Sequence, residues 1–299
     1  MYDLTDPRAS LAAAPRASDA YAAAEYARFY SEPPQVADET GKYWYARAQN
    51  FVVVYVEAQA GAVVNREDQI DEFVVLLPDA ASAIAVESQG LEEAVEGYSI
   101  AFVPPGRSRI TVLRPGRMVL LFTSLNADLC SRCANAEAYC EPHPNIPPFE
   151  PWPEPASGYK LRRYSLDVPD EPGRFGRIWR CSTFMVNFLP VQLGPRDVTK
   201  LSPHHHDSFE QGSLALAGVF THHIRWPWTP NLDAWRADDH ELCASPSLAV
   251  IPPPAIHTSR GMDAGVNQLV DIFSPPRIDF SMKAGWVLNE RDYPMPRPV

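Results

Sequence analysis

The feature that most restricts the fold is a recurring one: short apolar runs of four to eight residues, rich in Val, Phe and Tyr, each closed by Gly, Pro or Asp. In the first half they lie in "YWYARAQNFVVVYVEA", "DEFVVLLP", "SIAFVPPG" and "RMVLLFTS"; in the second, in "TFMVNFLPV", "GSLALAGVFTHHIRW", "SLAVIPPP" and "NQLVDIFSPP". Runs of that length and composition make strands, so the chain is predicted to be all-β. One segment reads as a short helix, "SDAYAAAEYARFYSEPP", with Ser18 as N-cap, Ala-rich turns, and a stop at Pro33 and Pro34. Between the halves, "CEPHPNIPPFEPWPEP" holds seven prolines in sixteen residues, a composition for an extended linker and not for a sheet interior.

The halves resemble each other. "YSIAFVPPGRSRITV" lies over "PSLAVIPPPAIHTSR", with Pro104 and Pro105 over Pro252 and Pro253, an offset of 148 residues. Upstream, "REDQIDEFVVLLP" lies over "HHHDSFEQGSLAL", with Glu72 over Glu210, an offset of 138. The extra ten residues fall in the Trp-rich "IRWPWTPNLDAWRADDH", a longer hairpin loop. Internal duplication predicts two antiparallel β-barrels at 41–126 and 176–285, an N-terminal extension at 1–40, a Pro-rich linker at 127–175, and a tail at 286–299.

Charge narrows the partners. The net charge of −11 and pI near 5.2 argue against a nucleic-acid surface. No run reaches the roughly 18 apolar residues of a membrane span. "MYDLTDPRAS" carries Asp3 and Asp6 where a signal peptide carries lysines. A cytoplasmic protein is expected, with its five cysteines as thiols or metal ligands. "CSRCANAEAYCEPH" spaces Cys130, Cys133, Cys140 and His143 as a zinc knuckle would, although chance cysteines explain it equally well. The aromatic segments "KYWYARAQNF" and "DFSMKAGWVLNERDYPMP" suggest a partner surface and a homodimer.

Three of the eight histidines are consecutive, in "HHHDSFE". On a strand His204 and His206 face one way and His205 the other. Glu210 can swing back beyond a turn, and His257 follows "PPPAI" on a later strand. Three imidazoles and a carboxylate suit one divalent transition ion: iron, manganese, nickel or zinc. In the first half His204 falls on Arg66, His206 on Asp68 and His257 on Arg109, and only Glu72 remains. Arginine cannot ligate a cation, so Arg66, Glu72 and Arg109 are expected to form an internal ion-pair cluster, with an anion pocket as the alternative.

These residues resemble the two-part motif of the cupin superfamily: "HHHDSFE", Gly218 eight residues beyond Glu210, then "PAIH" ending at His257. The family usually has Gly where Ile256 stands. The duplication makes the chain similar to a bicupin, two cupin-type (RmlC-like) barrels or jelly rolls in one polypeptide. The resemblance implies a metal held by His204, His206, Glu210 and His257 in the second barrel only. It also implies an enzyme, a dioxygenase of a small aromatic or sugar acid being the leading reading. A sugar-acid isomerase or lyase, a decarboxylase, and a non-catalytic ligand-binding bicupin are the alternatives. One carboxylate leaves the ion one net positive charge, so a small anionic ligand is expected, with Arg225 or Arg260 holding any second acidic group. His222, His223, Arg225 and His240 are the candidate catalytic residues.

Overall fold

The computed structural model of the chain describes Thr5 and residues 18–296. Every strand pair is antiparallel. In the first barrel a wide sheet, running from Arg162–Ser165 through Ser99–Val103, Phe73–Leu77, Gly116–Thr123, Phe51–Ala58 and Gly41–Arg47 to Val36–Asp38, belongs with a four-stranded sheet centred on Gly106–Arg114 and Ala83–Ser88. In the second, a wide sheet runs from Glu25–Ala27 through Ser247–Ile251, Glu210–Ala217, Val266–Ser274 and Met185–Phe188 to Arg177–Arg180. Its companion has three strands, Asp239–Ala244, Val219–Arg225 and Ile256–Gly261. No helix among the described residues is long and apolar enough to cross a membrane.

The wide sheets join back to back. Phe51, Val53, Tyr55, Val74, Leu76 and Val119 of one share a single buried cluster with Leu214, Leu216, Leu248, Val250, Val270 and Ile272 of the other. The alternating residues Val52, Val54, Val56, Phe73, Val75 and Leu120 fill the first barrel. Strands buried on both faces have no polar face to show, and so "FVVVYV" and "FVVLL" read as unbroken apolar runs.

The segment read as a helix is extended. Its Glu25–Ala27 pairs with Ser247–Ile251 of the second barrel, though it precedes the first. Reciprocally Arg162–Ser165, inside the segment read as a linker, pairs with Ser99–Val103 of the first barrel. Each barrel thus has its exposed edge covered by a strand that leads into the other. Edge pairing, with burial of Tyr21, Ala22 and Phe29, overrides the weak helix preference of an Ala-rich stretch. The aromatics that suggested a partner surface also turn inward: Trp44, Tyr45 and Tyr293 are buried within the chain.

The two glutamates aligned by the duplication are equivalent, but they fasten the barrels together. Glu210 accepts the backbone N–H of Gln49 at Oε1 (3.0 Å) and of Asn50 at Oε2 (2.9 Å), in the hairpin turn of the first barrel. Glu72 accepts the backbone N–H and hydroxyl of Ser182 at Oε2 (3.1 and 3.0 Å), in the matching turn of the second. The Tyr293 hydroxyl donates to its Oε1 at 2.6 Å. Both side chains are fully buried, and burial pushes the Glu210 carboxyl up to about 7. The expected cluster of Arg66, Glu72 and Arg109 therefore does not form. Arg66 bonds Asp128, Asn126 and Gln69 instead, and Arg109 is exposed.

Glu210→Ala is expected to lower unfolding stability by about 2–4 kcal/mol, since it leaves two buried N–H groups unpaired at about 1–3 kcal/mol each. Glu210→Gln should recover only part, because its NH2 must face one of those donors. Denaturant midpoints measure both, and an unchanged midpoint in Glu210→Ala would show that the turn does not need the carboxylate.

Candidate metal centre

His204 and His257 are drawn together by a two-residue bridge: His204 N donates to His257 O (3.1 Å) and His257 N to His204 O (2.8 Å). The His257 ring lies 4.5 Å from that of His204 and 5.0 Å from that of His206, centroid to centroid. Each Nδ1 sits 2.9 Å from a backbone carbonyl oxygen, of Ser202, Phe209 and Ala255 in turn. A carbonyl only accepts, so each Nδ1 carries the proton and, in the neutral ring, each Nε2 carries a lone pair. Burial keeps the His206 and His257 rings neutral, pushing His257 down to about 4 and His206 well below its ordinary value. His205 points away and is exposed, near Asp207.

Glu210 is not part of this group. It faces the other barrel, and by strand alternation its neighbour Gln211 faces the cavity. Gln211 Oε1 lies 3.3 Å from His206 Nε2 and 3.3 Å from His257 Nε2. The orientation of the amide is set from behind: its NH2 donates to Ser213 Oγ (3.0 Å) and to Asp271 Oδ1 (3.2 Å). Asp271 is half-buried, and desolvation pushes it up to about 6, so it is mainly ionised at neutral pH. Gln211 therefore turns an acceptor toward two further acceptors, with no proton available between them. Donor atoms about 2.1 Å from a shared ion stand about 3.0–3.4 Å apart in octahedral or tetrahedral geometry, as these atoms do. A cation fits that arrangement.

Among the described residues no three His, Cys, Asp or Glu side chains converge as a metal-holding group. The convergent set contains an amide, with His204 at its exposed rim. The spacing that could have found Gln211 is H-x-H-x4-Q in "HHHDSFEQ", in place of H-x-H-x3-E.

The remaining candidates separate by parity. His222 is buried and inward, its Nδ1 2.8 Å from Ser259 Oγ. His223 and His240 meet on the outer face, Nδ1 to Nδ1 at 2.9 Å. Arg225 is exposed and doubly bonded to Asp238. Trp228 stacks on Trp235 at 4.5 Å at the hairpin tip, away from the cavity lining. The zinc knuckle does not assemble. The Cys130 and Cys133 thiols donate to backbone carbonyls at 3.4 Å, Cys140 is exposed, and burial pushes Cys133 up to about 12.

A cavity of about 240 Å³ opens onto His204, Gln211 and His257, with Arg196, Ser259 and Asp271 in its wall. The first barrel has a cavity of its own, about 330 Å³, between Tyr43, Tyr45, Val54, Leu120 and Phe122 with Arg66, Asp128 and Arg132 in its wall, but the positions that match the second barrel's site carry other side chains. Arg66 pairs with Ser108 where His204 pairs with His257, so Ser108, and not Arg109, stands at the His257 position. Likewise Phe73 stands for Gln211, both facing the equivalent residues Val103 and Ile251. At these matched positions the first barrel is apolar, Phe73, Val75, Val86 and Ile110 all belonging to its buried cluster.

No protein-family model matches the chain, and no curated protein does. Solved structures share its fold. AerE from Microcystis aeruginosa aligns with a TM-score of 0.55 at 8% identity, covering 87% of this chain and 100% of that one. The Lactobacillus farciminis oxalate decarboxylase–formate complex aligns at 0.56 and 12% identity, covering 84% and 86%. A single-substitution variant of Bacillus subtilis oxalate decarboxylase aligns at 0.51 and 10%, covering 83% and 76%. At these identities the likeness is one of fold, and that fold is the bicupin: two cupin barrels in one chain.

Proposed function

We propose that the second barrel holds one divalent transition-metal ion on His204, His206, His257 and Gln211, and that the protein is a metal-dependent enzyme acting on a small organic acid. The reading rests on one observation: two imidazole Nε2 atoms, of His206 and His257, each lie 3.3 Å from the acceptor oxygen Oε1 of Gln211. An ion bound there supplies a Lewis acid for a carboxylate or enolate oxygen. Its ligands are all neutral, so the centre keeps two positive charges and favours an anion. Around it, Asp271 and Ser213 hold the Gln211 amide in place, and the backbone carbonyls of Ser202, Phe209 and Ala255 hold the three rings. At about 30 Å³ for each water-sized group, the cavity of about 240 Å³ admits a ligand of about eight heavy atoms.

Oxygenation and decarboxylation both suit such a centre. The oxalate decarboxylases that share the fold, one of them described with Mn(II) centres, favour decarboxylation and manganese. Dioxygen uptake and carbon dioxide release, measured on manganese- and iron-loaded protein with a panel of small acids, separate the two. Binding without either product would leave a ligand-binding protein.

Purified without a histidine tag, the protein should carry one metal per chain. Gln211→Ala and His257→Ala should each weaken metal binding at least tenfold, by elemental analysis and competition with a chelator. His205→Ala and Glu210→Ala, where folded, should keep it. Metal retained by Gln211→Ala but lost from Glu210→Ala would reverse the assignment of those neighbours.

Acid should destabilise the metal-free protein through its buried rings. His222 and His257 sit at about 4 when folded, against about 6.5 unfolded. The unfolded chain therefore binds more protons in between. The stability these groups contribute is present above about pH 6.5 and is lost as pH falls through 4, at up to about 1.4 kcal/mol per unit and group. The raised carboxyls of Glu210 and Asp271 act in the opposite sense over the same range, so the test is a difference: the stability of the wild type relative to His222→Phe, from denaturant midpoints at pH 7.5, 5.5 and 4.5, should fall in that order.

A further inference from the structure

We infer that Arg196 and Ser259 form a second anion subsite in the wall of the metal cavity, so that the ligand is a small acid with two acidic groups. This deepens the reading above and rests on it: the ion takes one group, and the pair takes the other. Sequence analysis pointed to Arg225 or Arg260 for this task. Arg225 is bound to Asp238 outside the cavity, and Arg260 does not line it. Arg277, near the histidines, is closed off by Asp279.

Arg196 differs from all of these. Its Nη1 donates to the backbone oxygen of Ser259 (3.1 Å), and its Nη2 to Lys200 O (3.3 Å) and Ser202 Oγ (3.0 Å). All three acceptors are neutral, and Arg196 makes no ion pair among the described residues. A guanidinium has five donor hydrogens; three are used, which leaves one on Nε and one on Nη1. The side chain is thus fixed by neutral contacts while its charge is unmatched, and it lines a cavity. A carboxylate is the partner such a group lacks.

Ser259 supplies a second donor beside it. His222 Nε2 is buried without a partner. A buried N–H without a partner is rarer than a buried lone pair without one, so the ring proton belongs on Nδ1, donating to Ser259 Oγ. The Ser259 hydroxyl is then free to donate its own hydrogen into the cavity. The fold does not require this polar pair, because Val86 and Ile110 hold the same cross-strand place in the first barrel. Ser259 stands two residues beyond His257 on the same strand face, about 7 Å along the strand. That distance is the span of a small diacid.

The test uses full-length protein loaded with manganese(II), titrated calorimetrically with acetate, malonate and succinate. At least one diacid should bind ten or more times more tightly than acetate. Arg196→Gln and Ser259→Ala should each remove that advantage and leave acetate affinity and metal content unchanged. Diacids no tighter than acetate, or an undiminished advantage in Arg196→Gln, would overturn the subsite. A second measurement is independent of the metal: in metal-free protein, malonate should shift the nuclear magnetic resonance signal of Arg196 Nε–H. An unmoved signal overturns the subsite even where manganese binds. A responding signal in protein that binds no manganese supports the subsite and sinks the metal reading instead.

Discussion

Each central strand of the two wide sheets has to satisfy two buried faces at once. One face meets the opposite barrel across a shared apolar seam, from Phe51, Tyr55 and Leu76 to Leu214, Val250 and Ile272; the other closes its own barrel. Every fully buried Val, Leu or Phe contributes roughly 1.5–3 kcal/mol there, before the entropy of ordering is set against it. The hairpin turns that abut the seam bring unpaired backbone N–H groups with them. Those groups cannot reach water, and a carboxylate from the opposite barrel satisfies them on each side. The exchanged edge strands follow the same logic, covering hydrogen-bonding groups that would otherwise be exposed.

Because one strand face carries the seam, the other can differ between barrels without loss of the fold. In the first it carries Phe73, Val75, Val86 and Ile110, all apolar. In the second the corresponding residues are Gln211, Ser213, His222 and Ser259. Buried polar groups cost stability unless they are paired, and His222 Nε2 remains unpaired. A barrel that needed its interior for stability could not accept this. The shared seam makes it tolerable, and the second interior is left to a site.

The strands, the duplication and the three histidines are legible because each is a local pattern: period, composition and spacing. The differences arise where one residue of register decides the outcome. Glu210 and Gln211 are neighbours on one strand, and alternation sends one to the seam and one to the cavity; a carboxylate at a plausible spacing conceals the amide beside it. Sequence alignment puts Arg109 over His257, whereas a register shift between Gly106 and Ser108 brings Ser108 there. Propensity alone makes the Ala-rich N-terminal segment a helix, but its conformation is decided by pairing with residues more than two hundred positions away. Nothing short-range in the sequence marks such a partner.

An amide in the place of a carboxylate changes the character of the centre. On the ligand set proposed above, a divalent ion would keep two positive charges where a carboxylate ligand would leave one, and Asp271 stands one hydrogen bond further back. Coulomb energy falls with distance and is only partly screened in a buried site, so an incoming anion meets a stronger field than a carboxylate ligand would leave. The same Asp271 decides whether there is a centre at all. If the Gln211 amide were reversed, its NH2 would donate to the lone pairs of His206 and His257, and the site would become an ordinary hydrogen-bonded cluster with no need for a cation. The reversed amide would turn its oxygen toward the Asp271 carboxylate, acceptor against acceptor. The half-buried Asp271, and no residue of the motif itself, thus keeps the Gln211 oxygen facing His206 and His257.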